Sequence, residues 1–137
     1  MTRLRADASH AALLLRVTLG ALFIAHLYWK FAVLPGGFNQ WWLNFATNGY
    51  PWFVPWYVLS AEIAGASLLI PGILVRPVCL YAFPMMAGAA HFWATRKGFW
   101  FVAGGAELPA LWCILLVVQA ILGAGSHTLK VGKRLST

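Results

Sequence analysis

Ionisable side chains occur inside strongly apolar stretches of this sequence, where they could bind a ligand or move a proton. Arg16, His26 and Lys30 fall in the first stretch, Glu62 in the second and His91 in the third. Charged groups within membrane helices are costly to insert and usually face other helices, so each is a candidate site residue. Imidazoles and a carboxylate are also the groups best suited to proton transfer near neutral pH.

The composition indicates which elements must position these groups. The chain has 137 residues, of which 61% are hydrophobic and 9% are charged, whereas a soluble domain carries about 25% charged residues. A water-soluble globule is therefore excluded. The formal charge of +7 is too sparsely distributed to favour a nucleic-acid partner. Cys79 and Cys113 have no metal-ligand spacing and are interpreted as small core residues.

Four apolar segments predict an all-α fold, a four-helix transmembrane bundle formed by residues 1–137 as a single domain. They cover approximately residues 11–34, 53–75, 77–95 and 107–125. Each is long enough, at about 1.5 Å per residue, to cross a hydrocarbon core of about 30 Å. Arg76 and Pro77 are predicted to form a tight turn between the second and third helices, which would then be antiparallel neighbours.

The cations near the helix ends predict the orientation in the membrane. The side that carries both termini has more cations than the opposite side, which carries Arg96 and Lys97. The positive-inside rule therefore predicts that both termini are cytoplasmic. We expect a multi-pass protein of the cytoplasmic (inner) membrane of a bacterium. A cleaved signal peptide is disfavoured because Arg16 interrupts the first apolar run. The cations of the more basic side are Arg3, Arg5, Arg76, Lys130, Lys133 and Arg134.

One layer of candidate site residues is predicted near the middle of the bundle. Counted along the helices, His26 lies about 22 Å and His91 about 21 Å from the cytoplasmic edge, and Glu62 about 18 Å from the outer end. Polar groups in an apolar medium need partners, so we expect these three side chains to meet. They form either a ligand-binding or proton-handling site or a structural hydrogen-bonded triad.

Two further polar layers are predicted from the same count. Lys30 and Glu107 fall together nearer the outer surface, where they could gate an opening. Snorkelling of Lys30 and helix capping by Glu107 explain them equally well. Arg16 and Gln119 come out level with each other at a depth of about 8 Å, and we interpret them as a structural polar lock.

The outer side carries a high density of aromatic residues. Such rings prefer the headgroup zone and are typical of an interfacial belt, with a binding mouth or a subunit contact as the alternative. The residues concerned are Trp41, Trp42, Phe45, Tyr50, Trp52, Trp56, Tyr57, Trp93, Phe99, Trp100 and Phe101.

The combined pattern resembles the DoxX family of small four-helix membrane proteins, from about residue 16 to residue 125. The family is named after a subunit of archaeal quinone-linked oxidation complexes, so the resemblance implies a membrane protein associated with redox systems. Family membership constrains architecture more than chemistry. The segments that carry the resemblance are Arg16 to His26 with Lys30, Glu62 to Gly72 with Arg76, His91, and Gly104 to Pro109.

Three functions remain open from the sequence. The leading hypothesis is an accessory membrane subunit that binds a quinone, the one candidate cofactor, for a partner oxidoreductase or another membrane subunit. We assign no catalytic residue. The second is a non-catalytic assembly, scaffolding or permeability protein, with self-association into a homo-oligomer as a variant. The third is a haem or metal-binding bundle, in which His26 and His91 ligate haem, or form an iron site with Glu62.

Overall fold

The computed structural model describes the backbone of residues 2–128 and the side chains of residues 5–128. The described residues form helices and no strands, which confirms the all-α part of the predicted fold class. Lys130, Lys133 and Arg134, and the side chain of Arg3, lie outside the described residues. The helices are α1 (Thr2–Tyr28), α2 (Gly37–Thr47), α3 (Phe53–Leu68), α4 (Val75–Lys97) and α5 (Glu107–Leu122).

The first helix does not end where its α-helical hydrogen bonds end. It continues as a π-helical turn over Trp29–Val33, and the Leu34 N–H donates to the Trp29 carbonyl at 2.8 Å. Isolated π turns of this kind frequently occur at functional sites. Gly36 and Gly37 then adopt positive φ angles of 81° and 60°, which glycine tolerates. The reversal sends α2 back across the end of α1.

The four long helices pack as a ring. Helix α1 packs against α3 and α5, and α4 packs against the same two helices from the other side. Leu19 and Phe23 of α1, Ala61 of α3, Ala82 of α4 and Leu116 of α5 are all buried in one apolar core. The ends of the ring also meet, because the Ser9 and Ser126 hydroxyls form a hydrogen bond. The start of α1 therefore lies beside the end of α5.

The junction between α3 and α4 differs from the prediction. Helix α3 ends at Leu68 rather than near Val75, because Pro71 and Gly72 follow and Gly72 has a φ of 81°. The Gly72 and Ile73 N–H groups donate back to the Leu68 carbonyl at 3.1 and 2.9 Å. Pro77 lies in the first turn of α4 instead of between the helices, where its missing N–H costs nothing.

Helix α2 was not predicted and lies within the first aromatic connection. Most aromatic residues of that connection are exposed or half-buried, Trp52 at 77% exposed among them. Trp41 is the exception, since it lies on α2 with only 7% of its surface exposed. The first connection is therefore a folded cover on one end of the ring rather than an open loop.

Length and hydropathy identify one helix of the described chain as able to cross a membrane. It covers Arg5–Val33, with 29 residues. Helices α3 and α5 are apolar but shorter, with 16 residues each, which gives about 24 Å at 1.5 Å per residue. Helix α4 has 23 residues, but polar residues such as His91 and Arg96 interrupt its apolar sequence. The membrane-spanning role of these three helices is thus a proposal.

Candidate functional site

A buried ion pair joins α1 to α3 near the covered end of the ring. The Lys30 ammonium forms a salt bridge with Glu62 Oε2. Lys30 is only 3% exposed and Glu62 only 5% exposed. Both ions of a pair this deeply buried depend on each other, because neither has water to replace its partner.

The local structure around Lys30 explains how its long side chain reaches Glu62. Lys30 lies within the π-helical turn that extends α1, which shifts it from the position that a regular helix would give. Trp41 of α2 covers the pair, with the Lys30 ammonium 4.5 Å from the centre of the Trp41 ring. A cation over an indole face is attracted by the ring electrons, most strongly when desolvated. Helix α2 thus covers the ion pair, and its Trp41 is a second partner for Lys30.

Phe23 and Gly65 form a layer next to the ion pair. Gly65 lies one helical turn beyond Glu62 on α3, and the Phe23 ring fills the space where a side chain at this position would be: a Cβ on Gly65 would come within 2.2 Å of it. Phe23 in turn packs against Trp112 of α5, with ring centres 5.2 Å apart. Trp112 is 4% exposed, and none of the side chains or backbone groups that the structure describes accepts a hydrogen bond from its indole N–H.

The predicted layer of His26, Glu62 and His91 is wrong as a contact set. His26 is exposed, and its Nδ1 lies 3.0 Å from the Leu22 carbonyl oxygen. Its ring meets the edge of Trp112 at 4.8 Å between centres. Among the described residues, Glu62 has Lys30 as its partner and no hydrogen bond to either imidazole. At 100° per residue His26 points about 80° away from Arg16 around α1, which is why it falls at the edge of the interface.

His91 lies on the face of α4 that points away from the other helices. It is exposed, as are Pro84 and Gly88, which share its stripe. The buried face of α4 carries Val78 and Ala82 instead. The small residues near His91 therefore do not mark the face of α4 that contacts the other helices. A haem held between His26 and His91 loses its geometric basis, since one imidazole lies against α5 and the other faces outward.

Glu107 does not form a layer with Lys30. It is exposed at the start of α5, where its Oε2 accepts a hydrogen bond from the Phe101 N–H at 2.9 Å. This contact fixes the short 3₁₀ turn Phe101–Ala103 against the helix. The side chain of Glu107 thus contacts the preceding turn rather than the Lys30 side chain, and no side-chain cap hydrogen bond is formed at the described start of α5.

Arg16 and Gln119 are both buried, at 1% and 0% exposed, but each is held by backbone groups. Arg16 donates to the carbonyls of Leu69, at 3.0 Å, and of Ile70 and His127. Gln119 Nε2 donates to the Gly123 carbonyl at 2.8 Å. Within the described chain no direct hydrogen bond joins the two side chains, and Arg16 Nε and Gln119 Oε1 have no partner. The hydrogen bonds of Arg16 and Gln119 therefore run to the backbone at helix ends, and a polar lock between the two side chains stays a prediction.

Two residues of the site were missed as site residues. Trp41 was assigned to the aromatic belt, and Trp112 was read as part of an apolar helix. The sequence does contain a signal for Trp41. A Pro-Gly-Gly segment that ends at Gly37 can reverse the chain, and Trp41 follows it by four positions. Nothing in the spacing of α5 distinguishes Trp112 from its apolar neighbours.

The DoxX family model matches residues 11–96, which contain Arg16, His26, Lys30, Glu62 and His91. The chain belongs to the DoxX family. Membership indicates a membrane protein, in agreement with the apolar composition and the spanning length of α1. No curated protein and no solved structure matches this DoxX chain.

The residues that the structure describes contain no group of three or more His, Cys, Asp or Glu side chains that could hold one metal ion. Cys79 is buried and Cys113 partly buried, and both are free thiols on neighbouring helices. Among the described residues, the buried salt bridge is the Lys30–Glu62 pair, with Trp41 packed over the Lys30 ammonium.

Proposed function

We propose that this DoxX protein is an accessory membrane subunit of a quinone-linked oxidoreductase system. In this proposal α1, α3, α4 and α5 all cross the cytoplasmic membrane of a bacterium, with both termini cytoplasmic. The ring packing of the four helices supports the multi-pass arrangement, because it gives each shorter helix neighbours on two sides. Tilting and local thinning of a bilayer accommodate helices shorter than the hydrocarbon core.

The observation that carries the ligand assignment is the unpaired indole N–H of Trp112. A buried donor without an acceptor is costly, about 1 to 3 kcal/mol, and a quinone carbonyl is an acceptor of the right kind. His26 lies against the same indole and is exposed on the outside of the ring, where a quinone would arrive from the membrane. We place the quinone ring beside His26 and Trp112, with its carbonyl oxygen toward the indole N–H.

The ion pair would supply the proton for this site. A quinone accepts electrons together with protons when it is reduced. The Lys30 ammonium can give one proton to the reduced quinone, which leaves one negative charge on Glu62 until a proton from water at the membrane surface replaces the one transferred. His26 orients the ligand as a second hydrogen-bonding group. The electrons would come from the partner oxidoreductase, because the sequence has no dinucleotide fingerprint, cysteine pair or c-type haem motif.

A conservative substitution tests the ligand assignment. Trp112→Phe keeps the aromatic packing on Phe23 and His26 but removes the N–H. We expect the quinone recovered per protein after gentle detergent extraction to fall about fivefold, as loss of one hydrogen bond of about 1 kcal/mol would give. Trp100→Phe, in an exposed loop, is the matched control. Equal quinone content in both variants and the parent protein would contradict the assignment.

A structural role is the second candidate, and the closed geometry of the ion pair favours it. Lys30 and Glu62 neutralise each other, and buried ion pairs can specify helix packing without chemistry. Under this alternative the double variant Lys30→Met with Glu62→Leu keeps normal expression, partner recovery and quinol-linked turnover. Under the quinone proposal the same double variant folds but loses turnover.

A further inference from the structure

The end of the ring opposite α2 contains a groove formed where the C-terminal segment folds back onto α1. The Ser126 N–H donates to Ser9 Oγ at 2.6 Å, and the two serine hydroxyls contact each other. Arg16 holds the next carbonyl, that of His127. Gly125 allows the close approach, since a Cβ there would lie 3.0 Å from the Ser9 carbonyl oxygen. These contacts fix one wall of the groove.

The groove has a volume of about 460 Å³ and a divided lining. Arg5 and the serine hydroxyls Ser9 and Ser126 form its polar part, and Ala8 and Leu122 belong to its apolar part. Asp7 is the acidic residue nearest in sequence to Arg5, but two positions along a helix are about 200° apart, so it points to the other side. The groove therefore offers a cation and hydroxyl groups to an anion.

The depth of the groove matches the headgroup layer of a membrane. The apolar helix Arg5–Val33 has 29 residues, so its length is about 43 Å. This is close to the full thickness of a bilayer including both headgroup layers, about 40 to 45 Å. A helix that crosses the membrane along this length places Arg5 and Ser9 at one headgroup layer, with Leu122 on the apolar side.

We propose that this groove binds the phosphate of an anionic phospholipid from the adjacent leaflet. The phosphate lies against the Arg5 guanidinium, and an acyl chain passes Leu122 and Ala8. The serine pair has two hydroxyl protons, and the contact between the serines uses only one. The second can go to His127 Nδ1, which lies 3.3 Å from Ser126 Oγ, or to the phosphate. The proposal depends on α1 spanning the membrane and is independent of quinone binding.

Lipid titration of the purified full chain tests the proposal. Phosphatidylglycerol and phosphatidylcholine are added separately to the protein in neutral detergent, and bound lipid is counted by native mass spectrometry. We expect phosphatidylglycerol to bind more tightly, and Arg5→Gln to weaken it about fivefold, the effect of losing about 1 kcal/mol of attraction per cation. Lys97→Gln, an exposed cation at the other end of the chain's helical ring, is the matched control and should change nothing.

Three results would overturn the proposal. The first is equal binding of the two lipids, and the second is an equal loss in the Arg5→Gln and Lys97→Gln variants. The third is full displacement of phosphatidylglycerol by inorganic phosphate, which would identify a site for the free ion. Arg5→Gln changes an exposed position and should fold normally. Its quinone content should match the parent protein, so failure here and failure of the quinone assignment are distinguishable.

Discussion

Two buried cations on the same helix are stabilised in different ways. Arg16 is held by three backbone carbonyls, from Leu69, Ile70 and His127, none of which carries a net charge. Lys30 is held by the carboxylate of Glu62 and the ring of Trp41. The first arrangement keeps one positive charge in place, whereas the second is neutral as a unit. Burial alone therefore does not distinguish a cation that could take part in a reaction from one that only fixes the structure.

The difference also concerns protons. A guanidinium stays protonated in proteins, so Arg16 cannot exchange a proton with its surroundings. The ammonium and the carboxylate of the Lys30–Glu62 pair can both change protonation state, and a transfer between them leaves the total charge unchanged. Arg16 is therefore suited to fixing the end of α3 and the C-terminal segment, whereas the proposed function assigns the proton transfer to the Lys30–Glu62 pair.

Breaking the ion pair from one side should give the largest effect on stability. Lys30→Met or Glu62→Leu leaves the other ion buried without a counter-charge, which costs about 3 to 5 kcal/mol. The double variant removes both charges, and its free energy of unfolding should lie within about 1 kcal/mol of that of the parent protein. Denaturant titration in mild detergent, followed by circular dichroism, measures these free energies. Additive losses in the double variant would show that the two side chains are not coupled.

Removing the Arg16 guanidinium should cost slightly less. Arg16→Met removes three charge-assisted hydrogen bonds. The freed carbonyls lie at the ends of the helices, where water can replace some of the lost hydrogen bonds. We expect a loss of about 2 to 3 kcal/mol in the same titration. Arg16→Lys should recover less than half of it, because an ammonium cannot match the planar fork of the guanidinium.

This second experiment also sharpens the comparison with the ion pair. The partners of Arg16 are backbone atoms, so no second side-chain substitution can compensate for its loss. Gln119→Leu, a buried neighbour in the predicted polar lock, provides the control. If Gln119→Leu restored stability to Arg16→Met, the two side chains would be coupled directly, and the assignment of Arg16 to the backbone carbonyls would be incorrect.

Part of the helix pattern and three of the buried charged positions could be predicted because they follow from local sequence. The apolar runs predict α4 to within about two residues, and α5 begins at Glu107 as expected. The cost of inserting a charge into a membrane correctly draws attention to Arg16, Lys30 and Glu62. These inferences require only composition and the rise of 1.5 Å per residue of a helix.

The partners of those residues could not be predicted, because they depend on side-chain reach and on the path of the connections. Lys30 was assigned to a layer with Glu107 from the depth of its backbone. A lysine carries its charge at the end of a flexible four-carbon stem, and here the π turn further changes its direction. Trp41 covers the ion pair only because the chain reverses direction at Gly36 and Gly37. Counting apolar segments along the sequence does not predict that reversal.

The smallest effect is expected for Glu107, the carboxylate that resembles Glu62 in type but not in surroundings. Glu107→Leu removes one acceptor for the exposed Phe101 N–H, a loss comparable to that of a helix cap, about 1 kcal/mol. Glu107→Gln keeps an oxygen that can accept the same hydrogen bond and should be close to neutral. Because Glu62→Leu is expected to cost at least three times as much, the pair of leucine variants measures what burial and a cationic partner add to the same side chain. An equal loss at both positions would mean that Glu62 has access to water, which would remove the basis for treating the Lys30–Glu62 pair as a proton-holding centre.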